Sequence, residues 1–311
     1  MNSILSKTKL GSQLGGRPPV AVELSSQGVL AAASPGQGQS PVYAFEPLHP
    51  GALVPHIADK NLRSPEVVAA AIHTALGQVS PRTRSVTVVL PDTVVRVFVL
   101  DFDSLPARAD EAIPVIRFRL RKMVPFDVEH AGLSYQVLVE NKNECKVLAA
   151  VVPGPILQEY EAAIRQAGYE PGAALPTSLA ALAAIHTEEP VLAANLGELA
   201  LTTSITHGQD LLLYRTLDLP LDANQRLHEV QRGIAVAAAY YEDKLGARPQ
   251  TLHYAGIGAG GTSTAEEFAR WIGGLELTVT DLAPHPETGA ATPLGNQVSL
   301  AGIVGALAGA A

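Results

Sequence analysis

Short apolar runs separated by small polar turns dominate the chain, and this pattern predicts β-strands joined by tight connections. Residues 20–24 and 29–33 flank the polar stretch 25–28, which predicts a β-hairpin. In the second half the same succession of strands and turns occupies 191–194, 195–198, 200–206, 207–210 and 211–217. Apolar residues spaced three and four apart predict helices between them, the longest over 222–245. The pattern therefore predicts a duplicated α/β architecture whose halves meet near 187–190.

Residues 117–138 carry the most distinctive local pattern. A basic amphipathic helix that begins near Asp110 is predicted to end at 124–126, and an alternating strand is predicted over 133–139. The helix carries a basic cluster formed by Arg117, Arg119, Arg121 and Lys122. A solvated helix face is the ordinary interpretation of such a cluster, and contact with an anionic lipid or an acidic peptide is the alternative.

Capping signals predict further elements. Ser64 followed by Pro65 predicts the N-cap and first turn of a helix. Residues 179–186 are predicted as a helix, 275–279 as a strand, and 299–307 as a terminal helix that packs on a sheet.

Composition narrows the class of protein. A chain of 311 residues with 47% apolar residues supplies enough material for a core, and its length favours two domains. The net charge of −8 argues against a nucleic-acid binder, because phosphate binding needs a basic face. The single cysteine, Cys145, excludes an internal disulfide and fits a reducing compartment.

Membrane and targeting signals are weak. No window of about 20 apolar residues is present, so no direct membrane span is expected. Residues 1–16 are polar and glycine-rich, and they predict a flexible leader.

Motifs for familiar chemistry are also weak. The glycines of 256–261 formally fit G-x-G-x-x-G, but too few residues follow to complete a dinucleotide fold. A turn where the backbone passes close to a neighbour or to a nucleotide is the better interpretation. No histidine pair, cysteine cluster, G-x-S-x-G or P-loop occurs, so neither a metal site nor a hydrolase triad is predicted.

The repeated strand–turn–strand layout, with a late glycine turn, resembles the actin-like (ribonuclease H-like) ATPase fold. In that fold the two hairpin turns hold phosphates and the late glycine turn lies on the adenosine. The resemblance implies nucleotide contacts at Glu23, Ser25, Ser26, Asn195, Gly197, Glu198, Gly256, Gly258 and Gly260.

Within that fold the chain resembles the PilM-like family of type IV pilus assembly proteins. The resemblance is strongest at Leu90-Pro91, at the turn Val124-Pro125-Phe126, and at Tyr135-Gln136-Val137. The resemblance implies a first actin-like domain over 17–90 and 153–189, an inserted α+β subdomain over 91–152, and a second actin-like domain over 190–311. The cytoplasmic domain of GspL-like type II secretion proteins is similar enough to remain an alternative.

Departures from the family pattern predict a degenerate nucleotide site. Asn195 stands where a carboxylate is usual, and an amide cannot act toward a Mg²⁺-bound water as an acid does. Glu23 replaces an aspartate in the first turn. The small subdomain of the second half is predicted to be reduced or missing, which leaves the cleft open. No catalytic residue is therefore predicted, although the resemblance allows weak binding of ATP and Mg²⁺.

The resemblance implies a scaffold at the inner face of the inner membrane, in the cytoplasm, with a role in twitching motility. Its expected partners are the N-terminal cytoplasmic peptide of a PilN-like membrane protein and other pilus assembly proteins. The predicted peptide groove comprises Val124, Pro125, Phe126, Tyr135 and Val137. The alternatives are an ATP-binding actin-like ATPase of the same system and a GspL-like secretion scaffold.

Overall fold

A computed structural model describes residues 17–34, 40–141, 144–256, 264–283 and 298–308. Its strands are β1 (Val20–Leu24), β2 (Gly28–Ala33), β3 (Val42–Pro47), β4 (Ser85–Leu90), β5 (Arg96–Phe102), β6 (Gly132–Glu140), β7 (Cys145–Val152), β8 (Glu170–Pro176), β9 (Pro190–Leu196), β10 (Ala200–His207), β11 (Asp210–Asp218), β12 (Thr251–Gly256) and β13 (Thr278–Asp281). Its helices are α1 (Pro65–Val79), α2 (Ala109–Leu120), α3 (Gly154–Gln166), α4 (Thr177–Leu182), α5 (Ala223–Leu245), α6 (Thr264–Trp271) and α7 (Ala301–Ala308).

Two five-stranded sheets have the same construction. The first has the order β3-β2-β1-β4-β8 and the second the order β11-β10-β9-β12-β13. In each sheet the first three strands in sequence are antiparallel, and the last two add in parallel. Parallel strands need crossover connections, and helices between the strands supply them. The predicted duplicated α/β fold is confirmed.

A third sheet, with the order β5-β7-β6, forms with α2 a unit that we call the insert. Helix α2 buries Ala112, Ile116 and Leu120 against one face of this sheet. The other face joins the core of the first sheet through Leu148, Ala150 and Val152. Because β7 alternates between the two cores, it is buried on both sides, as its apolar sequence predicts.

Only residues 219–222 link β11 to α5, so no subdomain is inserted at this point. This agrees with the predicted reduction of the second half. The predicted limits of the domains stay a prediction, and the predicted leader at 1–16 lies outside the described residues.

Close packing holds α7 against the first half. A Cβ placed on Gly305 would lie 1.9 Å from the carbonyl oxygen of Ala180 in α4, so only glycine permits this approach. A Cβ placed on Gly302 would lie 2.9 Å from the Glu23 carboxylate. The two glycines therefore bring the first turn of α7 next to β1.

Several predicted boundaries were wrong. Strand β8 was not predicted, because its proline and glycine content argues against a central strand, whereas β8 lies at a sheet edge where proline is tolerated. Helix α2 ends at Leu120, and turns rather than helix lead to 124–126. Helix α4 ends at Leu182 instead of residue 186.

Two smaller corrections concern caps and the last strand. Ser64 occupies the N-cap position of α1 but makes no side-chain capping hydrogen bond. Residues 273–275 form a 3₁₀ turn, so the predicted strand 275–279 begins at Thr278 instead.

Within the described residues, no helix has the combination of length and apolar character that crossing a bilayer requires. Across the same ranges, no group of three or more His, Cys, Asp or Glu side chains is placed to hold a metal ion.

Candidate functional site

The turns of the two hairpins face each other across a cleft between the two large sheets. A cavity of about 90 Å³ lies in this cleft. It is lined by all the predicted nucleotide residues that the structure describes: Glu23, Ser25, Ser26, Asn195, Gly197, Glu198 and Gly256. Gly258 and Gly260 lie outside the described residues. The structure thus gathers these residues, while their nucleotide contacts stay a prediction.

Asp92, which follows the end of β4, connects the two halves of the molecule. Its Oδ1 accepts a hydrogen bond from the backbone N–H of Ser178, at 3.0 Å. Its Oδ2 accepts hydrogen bonds from the Ser178 hydroxyl, from Thr202 Oγ1 at 3.2 Å and from Asn195 Nδ2 at 3.3 Å. We call these four residues the Asp92 network. Since Asn195 and Thr202 belong to the second sheet, the network fastens that sheet to the first.

Burial raises the pKa of Asp92, and the hydrogen bonds from Ser178, Thr202 and Asn195 offset part of that rise. A carboxylate that is removed from water needs such donors, because desolvation penalises its charged form. The three side chains are therefore the solvation shell of Asp92.

Asn195 owes its place in the network to its amide group. Its Nδ2 donates to Asp92 and also to Ser178 Oγ, at 2.8 Å. An ionised aspartate at this position could only accept hydrogen bonds and would lie beside the carboxylate of Asp92. The amide group of Asn195 is thus matched to its surroundings.

Glu23, the last-but-one residue of β1, is the second buried carboxyl group of the cleft. Its Oε1 accepts a hydrogen bond from Thr177 Oγ1 at 3.2 Å, and the backbone of Ile303 in α7 supplies another. Its Oε2 is buried and has no hydrogen-bond partner among the described residues. Burial, reinforced by the nearby charge of Asp92, raises the pKa of Glu23 to about 8. At neutral pH this carboxyl group is mostly protonated.

The hairpin turns also contact each other directly. The Ser26 hydroxyl donates a hydrogen bond to the Glu198 carboxylate. Arg226, in the first turn of α5, donates to the carbonyl oxygen of Gly197 at 2.8 Å and to that of Glu198. The guanidinium of Arg226 therefore holds the turn between β9 and β10 in place.

The cleft is poorly suited to phosphate groups. Among the described residues, those that line its cavity include the carboxyl groups of Glu23, Asp92 and Glu198 and no lysine or arginine. The cavity has room for only a few water molecules, whereas ligand pockets usually enclose about 300–1,000 Å³. The described lining offers a phosphate no cation to pair with, so the described residues do not fit a nucleotide phosphate.

A wider groove of about 710 Å³ continues from the cleft toward the segment between β3 and α1. Its walls expose polar and apolar surface in about equal parts, and the apolar side chains include Phe45, Leu53, Val54 and Leu199. It contains none of the residues predicted for nucleotide or peptide binding except Ser26 and Glu198.

The predicted peptide residues all belong to the insert. Val124, Phe126, Tyr135 and Val137 are partly buried and pack against its core, while Pro125 is exposed. Tyr135 and Val137 share one face of β6, because side chains two apart in a strand point the same way. Strand β6 ends the order of its sheet, and no described strand pairs with its outer edge.

Sequence reasoning missed Asp92, Ser178 and Thr202. A signal for Asp92 was available, since it follows an apolar buried strand at the edge where strand carboxyl ends and hairpin turns gather. For Ser178 and Thr202 there was no such signal, because small hydroxyl residues are common in helices and strands alike.

The similarity of this chain to known proteins lies in its fold. A chain of the PilM-PilN type IV pilus biogenesis complex matches with a TM-score of 0.68 and 18% identity, over 94% of this chain and 98% of that one. The chain has a PilM-like actin fold. This likeness confirms the predicted resemblance and fold class.

Two further solved structures share less with the PilM-like fold of this chain. The cytoplasmic domain of EpsL, an inner-membrane component of the Vibrio cholerae type II secretion system, has a TM-score of 0.48 and 15% identity over 78% of this chain and 83% of its own. A Bacteroides thetaiotaomicron protein with an actin-like ATPase fold has a TM-score of 0.45 and 12% identity over 84% and 90%. No family model and no curated protein sequence matches the chain.

Proposed function

We propose that this protein is a scaffold of a type IV pilus assembly machine that binds the N-terminal cytoplasmic peptide of a PilN-like inner-membrane protein. The observation that carries this proposal is the likeness to a chain of the PilM-PilN complex, which spans nearly the whole of both chains. The scaffold would lie in the cytoplasm, at the inner face of the inner membrane, with other pilus assembly proteins as neighbours.

The insert offers a better surface for such a peptide than the cleft does. The outer edge of β6 supplies backbone donors and acceptors, and an extended peptide adds readily to such an edge. Tyr135 and Val137, partly buried on one face of β6, would give side-chain pockets beside it. Phe126 and Val124 belong to the same apolar cluster, and Pro125 is exposed next to them.

We expect the PilN-like peptide to bind with micromolar affinity, and Phe126→Ala to weaken binding about tenfold, since aromatic anchors dominate interface energetics. Isothermal titration of the full chain with the synthetic peptide measures both values. Because Phe126 is partly buried, Pro125→Glu is the second variant, and it reaches the same surface from an exposed position.

Phe118→Ala is the matched control, because Phe118 is an aromatic residue of the same insert on the outward side of α2. It should leave the affinity for the peptide unchanged. The groove assignment is wrong if Phe126→Ala and Pro125→Glu both bind like the wild type, and the function is wrong if the unmodified chain does not bind the peptide.

The cleft, in this proposal, is a structural joint and not a working ATPase site. Three findings support this: the carboxyl groups of its lining, the small cavity, and the use of Asn195 inside the Asp92 network. Saturating MgATP should therefore leave the thermal unfolding midpoint unchanged, because only ligands that bind the folded state raise it. Saturable stabilisation together with measurable ATP turnover would overturn this part of the proposal.

Asn195→Asp provides a sharper form of the same test. It restores the usual acid but places it beside Asp92, where two carboxylates repel. We expect lower stability without any gain of MgATP binding. If this variant binds MgATP, then the asparagine at position 195, and not the small size of the cavity, prevents nucleotide binding in the wild type.

A further inference from the structure

The outward face of α2 combines exposed apolar side chains with positive charge. The inward face of the helix is buried in the insert and comprises Ala112, Ile116 and Leu120. On the opposite side Phe118 is 71% exposed, with Val115 at 37% one turn before it. Met123, just beyond the helix, is 44% exposed. Three large apolar side chains within nine residues therefore face solvent.

The same segment is a concentration of positive charge in an acidic protein. Residues 112–126 contain four cations and no acidic residue, although the net charge of the whole chain is −8. Arg121 forms an ion pair with Glu129 at 2.5 Å, and Arg117 donates to the carbonyl oxygen of Ala131 at 3.1 Å. Arg119 and Lys122 are exposed and have no ion-pair partner in the described parts of the chain.

Exposed apolar side chains and positive charges lie on the same outward surface, which we call the ridge and which comprises Val115, Phe118, Arg119, Lys122 and Met123. Phe118 and Arg119 lie three and four residues after Val115, so both adjoin Val115 on the surface of α2. Lys122 comes four residues after Phe118, in the turn that follows the helix. The guanidinium of Arg121 lies 6.0 Å from the centre of the Phe118 ring. Neither of the two cavities in and beside the cleft is lined by α2, and an outward helix ridge encloses no groove for a peptide.

We propose that this ridge docks on a membrane surface that carries anionic lipid headgroups. Phe118, Val115 and Met123 would enter the boundary between headgroups and acyl chains, while Arg119 and Lys122 contact lipid phosphates. An anionic membrane surface can take up the apolar side chains and contact the cations at the same time. An acidic peptide would contact the cations but would leave the phenyl ring of Phe118 in water. The proposal uses no feature of the peptide edge or of the cleft.

Flotation of the full chain with lipid vesicles tests this docking. We expect the protein to float with phosphatidylcholine vesicles that contain roughly one third phosphatidylglycerol, and not with pure phosphatidylcholine. Raising the salt above physiological strength should release it, because screening weakens contacts between exposed charges. Phe118→Ala should lower the bound-to-free ratio about tenfold, and each of Arg119→Glu and Lys122→Glu about fivefold or more.

Val236→Ala is the matched control, since Val236 is 47% exposed on α5, where the nearby Arg232 is already paired with Glu229. It should float like the wild type. The proposal is overturned if the chain ignores anionic vesicles, or if it binds them equally well after Phe118→Ala and Lys122→Glu. Capture by an acidic peptide such as polyglutamate, without flotation, would assign the ridge to a protein partner instead. The assay contains no PilN-like peptide, so its failure leaves the peptide titration independent.

Discussion

Replacing Asp92 with alanine will lower the free energy of unfolding by about 3 kcal/mol, because a buried donor left without its acceptor costs roughly 1–3 kcal/mol. The substitution removes the acceptor that the Ser178, Asn195 and Thr202 donors share. Asn195 Nδ2 keeps Ser178 Oγ and Thr202 Oγ1 keeps Thr216 Oγ1 as partners, whereas the backbone N–H of Ser178 loses its described acceptor. Urea denaturation at pH 7 measures the change, with the midpoint and the slope both recorded.

Asp103→Ala is the appropriate control, because Asp103 is an exposed aspartate near the end of β5. We expect it to change stability by less than about 0.5 kcal/mol, like most surface substitutions. The Asp92 network also spans both sheets, so loss of Asp92 should increase proteolytic cleavage of the exposed link at 187–189. An Asp92→Ala protein with wild-type stability would show that the network does not fasten the two halves.

Replacing Glu23 with glutamine will remove a destabilisation of the wild type that grows as the pH rises. Burial raises the pKa of Glu23 from 4.5 to about 8. Below pH 4.5 both folded and unfolded chains hold the proton, and Glu23 has no effect on stability. Between pH 4.5 and 8 the unfolded chain releases a proton that the folded chain keeps, so stability falls as the pH rises.

The relative gain of Glu23→Gln between pH 5 and pH 8.5 should be on the order of 4 kcal/mol, since each pKa unit corresponds to about 1.4 kcal/mol. Denaturation series of both proteins across this range measure the gain, and carboxyl ¹³C NMR titration locates the proton on Glu23. Glu66→Gln, in the first turn of α1, shows the effect of losing an exposed carboxylate. Identical pH dependence of the wild type and Glu23→Gln would contradict the prediction.

The two carboxyl groups have opposite relations to their surroundings. Asp92 is enclosed by donors, which is the environment a charged carboxylate requires. Glu23 has one oxygen with no described partner, and the first turn of α7 closes over it. Burial raises the pKa of both carboxyl groups, so the cleft disfavours added negative charge. This is the physical reason why we propose that it is a joint between the halves.

Most element types were predictable because local pattern sets them. The hairpins β1–β2 and β9–β10, the helix α5 with its Asp222 cap and the terminal α7 follow from alternation, periodicity and capping residues. Strand β8 was not predictable in this way. Its proline and glycine are tolerated because β8 lies at the edge of the sheet, and its own residues do not reveal that position.

The candidate cleft was predictable only in part. The resemblance to the actin-like fold implied that the turns at Ser25 and Gly197 share one site, and the structure places them on one cavity. The peptide residues were likewise placed on the insert, but their exposure differs: Pro125 lies on the surface and Phe126 is half packed into the core. This difference in exposure between Pro125 and Phe126 does not follow from hydrophobicity alone.

By itself the sequence determined the α/β class, the duplication, the basic segment 117–122 and the presence of an asparagine at position 195. Only the tertiary structure decided what that asparagine does, because its partner Asp92 is 103 positions away along the chain. It likewise decided that Phe118 faces outward while Ile116 is buried, since the sheet of the insert covers one side of α2. Local sequence sets which segments form helices and strands, whereas hydrogen-bond partners and exposed ridges depend on how distant segments pack.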